Sequence, residues 1–288
     1  MKKIMAILGA ALLASTLCSG QIIRQKEIDG GGSGPYKALA TTEASLSNYV
    51  IYRPADLAAA VRGEGKLPIL VFANGGCGDT SITHERVLSE LASHGYIVIA
   101  IGAMQQELSD RKIVQAPNAM LIGGIDWIVD KSADPSSEFY QMVDIEKIAT
   151  GGQSCGGAQV LATAADPRIK TYVMFNTGMG EISMSGASKA SLRNVHGPII
   201  YIIGGKSDVA YVNAQGDYEN ISSDKPIVFA DLTKGGHMGT FGDLYGGSFA
   251  KMVVDWLDWQ FKGKDRANLF LRHNLKEYPG WTIKSKNF

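Results

Sequence analysis

Charge of one sign is what this chain most plainly lacks: 28 lysines and arginines stand against 28 aspartates and glutamates. Such balance gives no support to nucleic acid, or to a strongly charged membrane surface, as a partner. Cysteine is scarce as well, with three in 288 residues. There is no Cys-x-x-Cys, no His-x-x-x-His and no carboxylate cluster, and His84, His94, His196 and His273 show no metal-ligand spacing, so no metal is expected. The glycine-rich loops lack the Lys-Ser/Thr of a phosphate loop, so no nucleotide cofactor is expected either. Long apolar runs are missing apart from residues 4–17, which are too short for a membrane-spanning helix.

That run belongs to a segment with a different reading. Lys2-Lys3, the apolar stretch, and then Cys18-Ser19-Gly20 before Gln21 have the form of a secretory signal, so residues 1–20 are expected to be removed on export to the periplasm or the medium. Leu17 is bulky where a lipid-attachment signal needs a small residue, which favours cleavage after Gly20 over lipidation at Cys18. Removal leaves 26 basic and 28 acidic residues, and two cysteines, Cys77 and Cys155, in a compartment where disulfides persist. Residues 21–35 are polar and then glycine-rich, and read as a flexible lead-in.

From residue 36 onward apolar runs alternate with helical patterns. Residues 49–52 suggest an early strand. Residues 68–73 (PILVFA) and 96–101 (YIVIAI) are continuous apolar runs of the kind buried on both faces of a parallel sheet. Between them Ser81 or Thr83 is expected to cap a helix carrying Val87, Leu88 and Leu91, which Gly95 ends. Strands at 145–150, 171–175, 199–203 and 227–230 follow, with helices at 118–129, 158–165, 213–221 and 248–261. This alternation predicts one α/β domain over residues 36–262, with a mostly parallel central sheet covered by helices on both faces. Residues 263–288 are expected to form a C-terminal tail packed on that domain.

The strongest chemical signal is Gly151-Gly152-Gln153-Ser154-Cys155-Gly156-Gly157, straight after a predicted strand. A serine held at the apex of a tight strand-to-helix turn exposes its hydroxyl, and glycines two places before and after relieve the crowding. With 34 glycines in the chain the pattern alone does not decide the matter. A serine hydroxyl also needs a base, and the base an orienting acid. His237 lies in Lys234-Gly235-Gly236-His237-Met238-Gly239 after the strand at 227–230. Asp208 lies in Gly204-Gly205-Lys206-Ser207-Asp208 after the strand at 199–203, with Asp217 and Asp243 as reserve candidates. Ser154, Asp208 and His237 thus each follow a strand, in the order used by α/β-hydrolases. For an oxyanion hole, one donor is expected from the N–H of Cys155 and another from the loop after residue 73, at Gly75 or Gly76.

Cys77 and Cys155 each lie beside one half of that expected hole. A disulfide between them would pin the loop to the serine turn; the alternative is two buried free thiols. Met104, Asn176, Thr177 and Met179, at strand ends, are candidates to shape the substrate pocket.

The combination of NGGC after a buried strand, ASHGY, GGIDW, GGQSCGG, DPRI with FNTG, IIGGKSD and GGHMGT resembles a group of secreted bacterial and fungal α/β-hydrolases. These are related more distantly to dienelactone hydrolases and to cutinase-like and polyester-degrading esterases. The likeness covers nearly all of residues 36–261. It implies a serine carboxylic ester hydrolase with Ser154 as nucleophile, His237 as base and Asp208 as acid, acting on a small-molecule or polymer-linked ester without a cofactor. Asn74 stands where many esterases carry a histidine, and no large lid domain is evident. A peptidase, amidase or acyltransferase could use the same three residues, and an inactive binding protein could keep the scaffold.

Overall fold

The computed structural model describes residues 22–109 and 112–288. The expected signal segment lies outside the described residues. In chain order the elements are β1 (Ile22–Lys26), β2 (Ala38–Glu43), β3 (Leu46–Pro54), α1 (Leu57–Glu64), β4 (Leu67–Ala73), α2 (Glu85–Ser93), β5 (Ile97–Ile101) and α3 (Ala119–Ala133). There follow β6 (Val143–Gln153), α4 (Cys155–Ala162), β7 (Ile169–Phe175), β8 (Ile199–Ile203), α5 (Tyr211–Asn220), β9 (Ile227–Leu232), α6 (Gly247–Phe261), α7 (Ala267–Phe270) and β10 (Trp281–Lys286). The ten strands among the described residues join one sheet in the order β1-β2-β3-β5-β4-β6-β7-β8-β9-β10.

The middle six strands run parallel. β1, β2 and β3 extend one side antiparallel, and β10 pairs antiparallel with β9 at the other. Both edges carry lysine or arginine, at Arg24 and Lys26 on one side and Lys284 and Lys286 on the other, which discourages further strands from docking.

Every residue of β4 and β5 is buried, because helices cover both faces. Period-two alternation sorts their side chains. Ile69 and Val71 of β4 face a core shared with Leu121, Ile125 and Ile128 of α3, Leu161 of α4 and Ala214 of α5. Leu70 and Phe72 face the other, built with Leu88 and Leu91 of α2 and Phe249, Val253 and Trp256 of α6. Burying each such large apolar side chain contributes about 1.5–3 kcal/mol, which is why an uninterrupted apolar strand is tolerated only at the centre of the sheet.

Three expectations change. Residues 21–35 are not a flexible lead-in where described: β1 pairs with β2 from Ile22 to Lys26, and Ser33 donates from both its backbone N–H and its hydroxyl to the Glu90 carboxylate of α2. Arg24 and Lys26 likewise donate to the carbonyls of Met104 and Gln105, so the segment is tied to the domain although much of it faces solvent. Neither Ser81 nor Thr83 caps α2; the helix begins after His84, and the Ser81 hydroxyl instead pairs with that of Tyr52 at 2.8 Å. The C-terminal residues do more than lie on the surface, since Trp281 and Ile283 of β10 enter the core beneath α6.

Candidate active site

The site forms at the carboxyl ends of β4, β6, β7, β8 and β9, where open α/β sheets build their crevices. β4 and β6 are neighbours, with Ala73 opposite Gly152, so the loop after β4 and the turn after β6 leave the sheet side by side. That turn carries Ser154 with φ 53° and ψ −120°, a left-handed conformation that a non-glycine residue holds only when its surroundings enforce it. The enforcement is visible. The Ser154 N–H donates to the Phe175 carbonyl of β7 at 2.9 Å, and the Thr177 hydroxyl donates to the Ser154 carbonyl at 2.7 Å.

Asp208 and His237 are brought together by a second close approach. The loops after β8 and β9 are joined by a hydrogen bond from the Gly236 N–H to the Gly204 carbonyl at 2.6 Å. A Cβ on Gly204 would lie 1.8 Å from the Gly236 carbonyl oxygen, so only glycine permits the loops to touch. With the loops in register, His237 Nδ1 lies 2.7 Å from Asp208 Oδ1 and His237 Nε2 lies 3.0 Å from Ser154 Oγ. A carboxylate can only accept, so Nδ1 carries the proton and Nε2 is the acceptor facing the serine.

Asp208 is fully buried at its side chain, whereas His237 is partly open to solvent. Burial pushes the Asp208 carboxyl up, but donors from His237, the Ala210 and Gly204 N–H groups and the Asn176 carboxamide outweigh it and hold it below the usual aspartate range. The acid is therefore ionised at neutral pH. The chain of three groups can take a proton from the serine hydroxyl and stabilise the imidazolium that results.

Cys77 and Cys155 form a disulfide, with their Cα atoms 5.0 Å apart. Gly75–Cys77 is a single 3-10 turn after β4, and Cys155 is the first residue of α4. The N–H of a first helical residue has no acceptor within its own helix, so the disulfide ties that N–H to the turn bearing Gly75 and Gly76. The Asn74 carboxamide fixes the same loop by donating to the carbonyls of Gly78 at 2.9 Å and Ile101 at 2.7 Å. Asn74 thus shapes the loop where many esterases carry a histidine.

The four pocket candidates do not line an open cleft. Met104 is buried beside Tyr52 and Ser81 against β3. Met179 is buried in the core, and its N–H is held by Asp217 at 2.7 Å. Asn176 and Thr177 are buried too and turn toward Asp208 and the Ser154 carbonyl. Of the four, Asn176 and Thr177 touch the residues of the site, and strand-end position did not give the direction of any of the side chains.

Sequence reasoning missed Gln153. Its carboxamide nitrogen donates to the His237 carbonyl at 3.2 Å, and its oxygen would lie 2.1 Å from a Cβ on Gly75. A single side chain thus touches the serine turn, the β4 loop and the histidine loop. Its position, directly before the serine, was the available signal. Exposed apolar residues flank the same end of the sheet: Val209 beside Asp208, Met238 beside His237, and Ile113, which packs on Gly78.

A parallel-centred sheet covered on both faces, with Ser, Asp and His in that order after the strands β6, β8 and β9, defines the α/β-hydrolase class. Within it, residues 40–285 match the family model described as PET hydrolase-like, and the chain belongs to that family of ester hydrolases. It is also similar to a protein from Aspergillus flavipes named hydrolase ffsE, at 30% identity over 133 residues. That alignment covers 42% of this chain and 29% of the relative, so the chain spans under a third of the relative's length.

Proposed function

We propose that this protein is an exported serine hydrolase that cleaves carboxylic esters through an acyl-enzyme. Ser154 attacks the ester carbonyl as His237 Nε2 takes its proton. Asp208 holds the imidazole tautomer and stabilises the imidazolium. The tetrahedral oxyanion is met by the N–H of Cys155 and by that of Gly75 or Gly76. The imidazolium then passes its proton to the departing alcohol, and water, activated by the same histidine, releases the acid.

The observation that carries this reading is the unbroken relay from Ser154 Oγ to His237 Nε2 at 3.0 Å and from Nδ1 to Asp208 Oδ1 at 2.7 Å. The exposed Val209, Met238 and Ile113 around it support a substrate that lies along the surface, a polymer-linked ester as well as a small one. Export is supported by the composition of residues 1–20 and by the disulfide.

A fluorophosphonate probe and a panel of p-nitrophenyl esters and amides test it. Wild type is expected to be labelled at Ser154 and to prefer esters, and Ser154→Ala to lose about 10^4- to 10^6-fold in kcat. Absent labelling of wild type, or equal labelling of Ser154→Ala, would overturn the reading. Turnover of amides at the rate of esters would move it to an amidase.

A further inference from the structure

Asn176 lies at the end of β7 and contributes no atom to the relay, yet it holds an unusual backbone conformation, with φ 44°. Its side chain is wholly buried. The carboxamide nitrogen donates to Asp208 Oδ2 at 2.7 Å and to the Gly236 carbonyl at 3.1 Å. One amide group therefore grips the acid and the peptide next to the base. Its backbone is fixed as tightly, because the Asn176 N–H donates to the Ile202 carbonyl of β8 at 2.8 Å. The residues on either side hold the nucleophile, through the Phe175 carbonyl and the Thr177 hydroxyl.

We infer that Asn176 is the positioning residue of this site: its two amide hydrogens set the Asp208 carboxylate and the His237 loop at the spacing the relay needs. The inference rests on the serine hydrolase reading. With Oδ2 occupied by Asn176 and the Gly204 N–H at 3.2 Å, and Oδ1 shared by His237 and the Ala210 N–H at 3.0 Å, the carboxylate has one orientation. Without the amide, Oδ2 keeps one donor, and rotation about the Asp208 side chain is no longer opposed from the β7 side. A carboxylate with fewer donors is also a stronger acceptor for the proton it shares with the imidazole. Asp231 at the end of β9 is a second ionisable group interacting with Asp208.

Asparagine suits the position because it tolerates left-handed φ better than other side-chain-bearing residues and carries two donors on one nitrogen. Glycine accepts the same φ without strain, so Asn176→Gly removes the amide while keeping the backbone available. Asn176→Asp keeps the shape but places a second carboxyl against Asp208.

The test uses the full-length exported protein, with fluorophosphonate labelling and pH profiles of kcat and KM on a p-nitrophenyl ester. Asn176→Gly is expected to lose about 10- to 100-fold in kcat with KM within twofold, and to shift the acid limb of its kcat/KM profile to higher pH. Asn176→Asp is expected to shift that limb further. If wild type is labelled and Asn176→Gly, shown folded by circular dichroism, keeps both the kcat and the pH profile of wild type, the inference is wrong while the serine reading stands. A loss of kcat with an unmoved limb in both variants would also overturn it, since packing alone predicts that result. If wild type is not labelled, both readings fall together. Should Asn176→Gly fail to fold, Asn176→Asp decides by its acid limb alone.

Discussion

Gly152 and Gly156 face one another across the turn that carries Ser154, so closely that a Cβ on Gly152 would lie 2.4 Å from the Gly156 carbonyl. A Cβ on Gly156 would in turn lie 2.2 Å from the Ala73 carbonyl oxygen at the end of β4. Neither neighbour can yield, since both are backbone.

Gly156→Ala is accordingly expected to destabilise the fold by about 1–3 kcal/mol or more, and to lower esterase activity by widening the gap between the serine turn and the β4 loop. Urea unfolding together with the p-nitrophenyl ester assay checks both effects. Wild-type stability in that variant would mean that the backbone relaxes in a way the packing does not suggest.

The Cys77–Cys155 disulfide closes a loop with a sequence separation of 78. In the chain-entropy model its removal costs about 4 kcal/mol. The double variant Cys77→Ser/Cys155→Ser should show this in denaturant midpoints, and should lose kcat more than it gains in KM, because in the proposed mechanism the tie joins the two sources of oxyanion donors. Non-reducing mass spectrometry of the purified protein gives a direct check: free thiols at both positions would remove the tie altogether.

His84, buried between the rings of Phe72 and Phe241, should make the protein sensitive to mild acid. Burial lowers its pKa from 6.5 to about 4. Between those values the unfolded chain binds a proton that the folded chain refuses, so stability falls as pH drops from 6.5 toward 4. Relative to His84→Leu, wild type should lose on the order of 2 kcal/mol more between pH 7 and pH 5. Parallel pH dependence in the two proteins would show that the histidine is not the cause.

Much of the central sheet was legible because buried parallel strands must be apolar throughout, and residues 68–73, 96–101 and 199–203 announce themselves. β1 and β2 were not, since IIRQK and ALATTE are short, polar or small, and are strands only because β3 offers β2 an edge and β2 offers one to β1. β10 carried a faint signal: Trp281 and Ile283 are buried while Thr282 and Lys284 are exposed, the period of a half-buried strand. Six residues at the end of a polar stretch were too few to separate that from a loop.

The sequence by itself determined which three residues the fold brings into one hydrogen-bonded chain. Glycine spacing marks a serine turn, and an acid and a histidine each directly follow an apolar strand, so Ser154, Asp208 and His237 could be named from local pattern. Only the tertiary structure decided what holds them. Asn176, Thr177 and Met179 read as pocket residues from position, but each is buried, and whether a strand-end side chain points to solvent or to its neighbours depends on loops distant in the chain. The grip of Asn176 on Asp208 spans 32 residues and that of Gln153 on His237 spans 84. Contacts of that kind have no local periodicity to betray them, because they exist only once the parallel strands have set their carboxyl ends side by side.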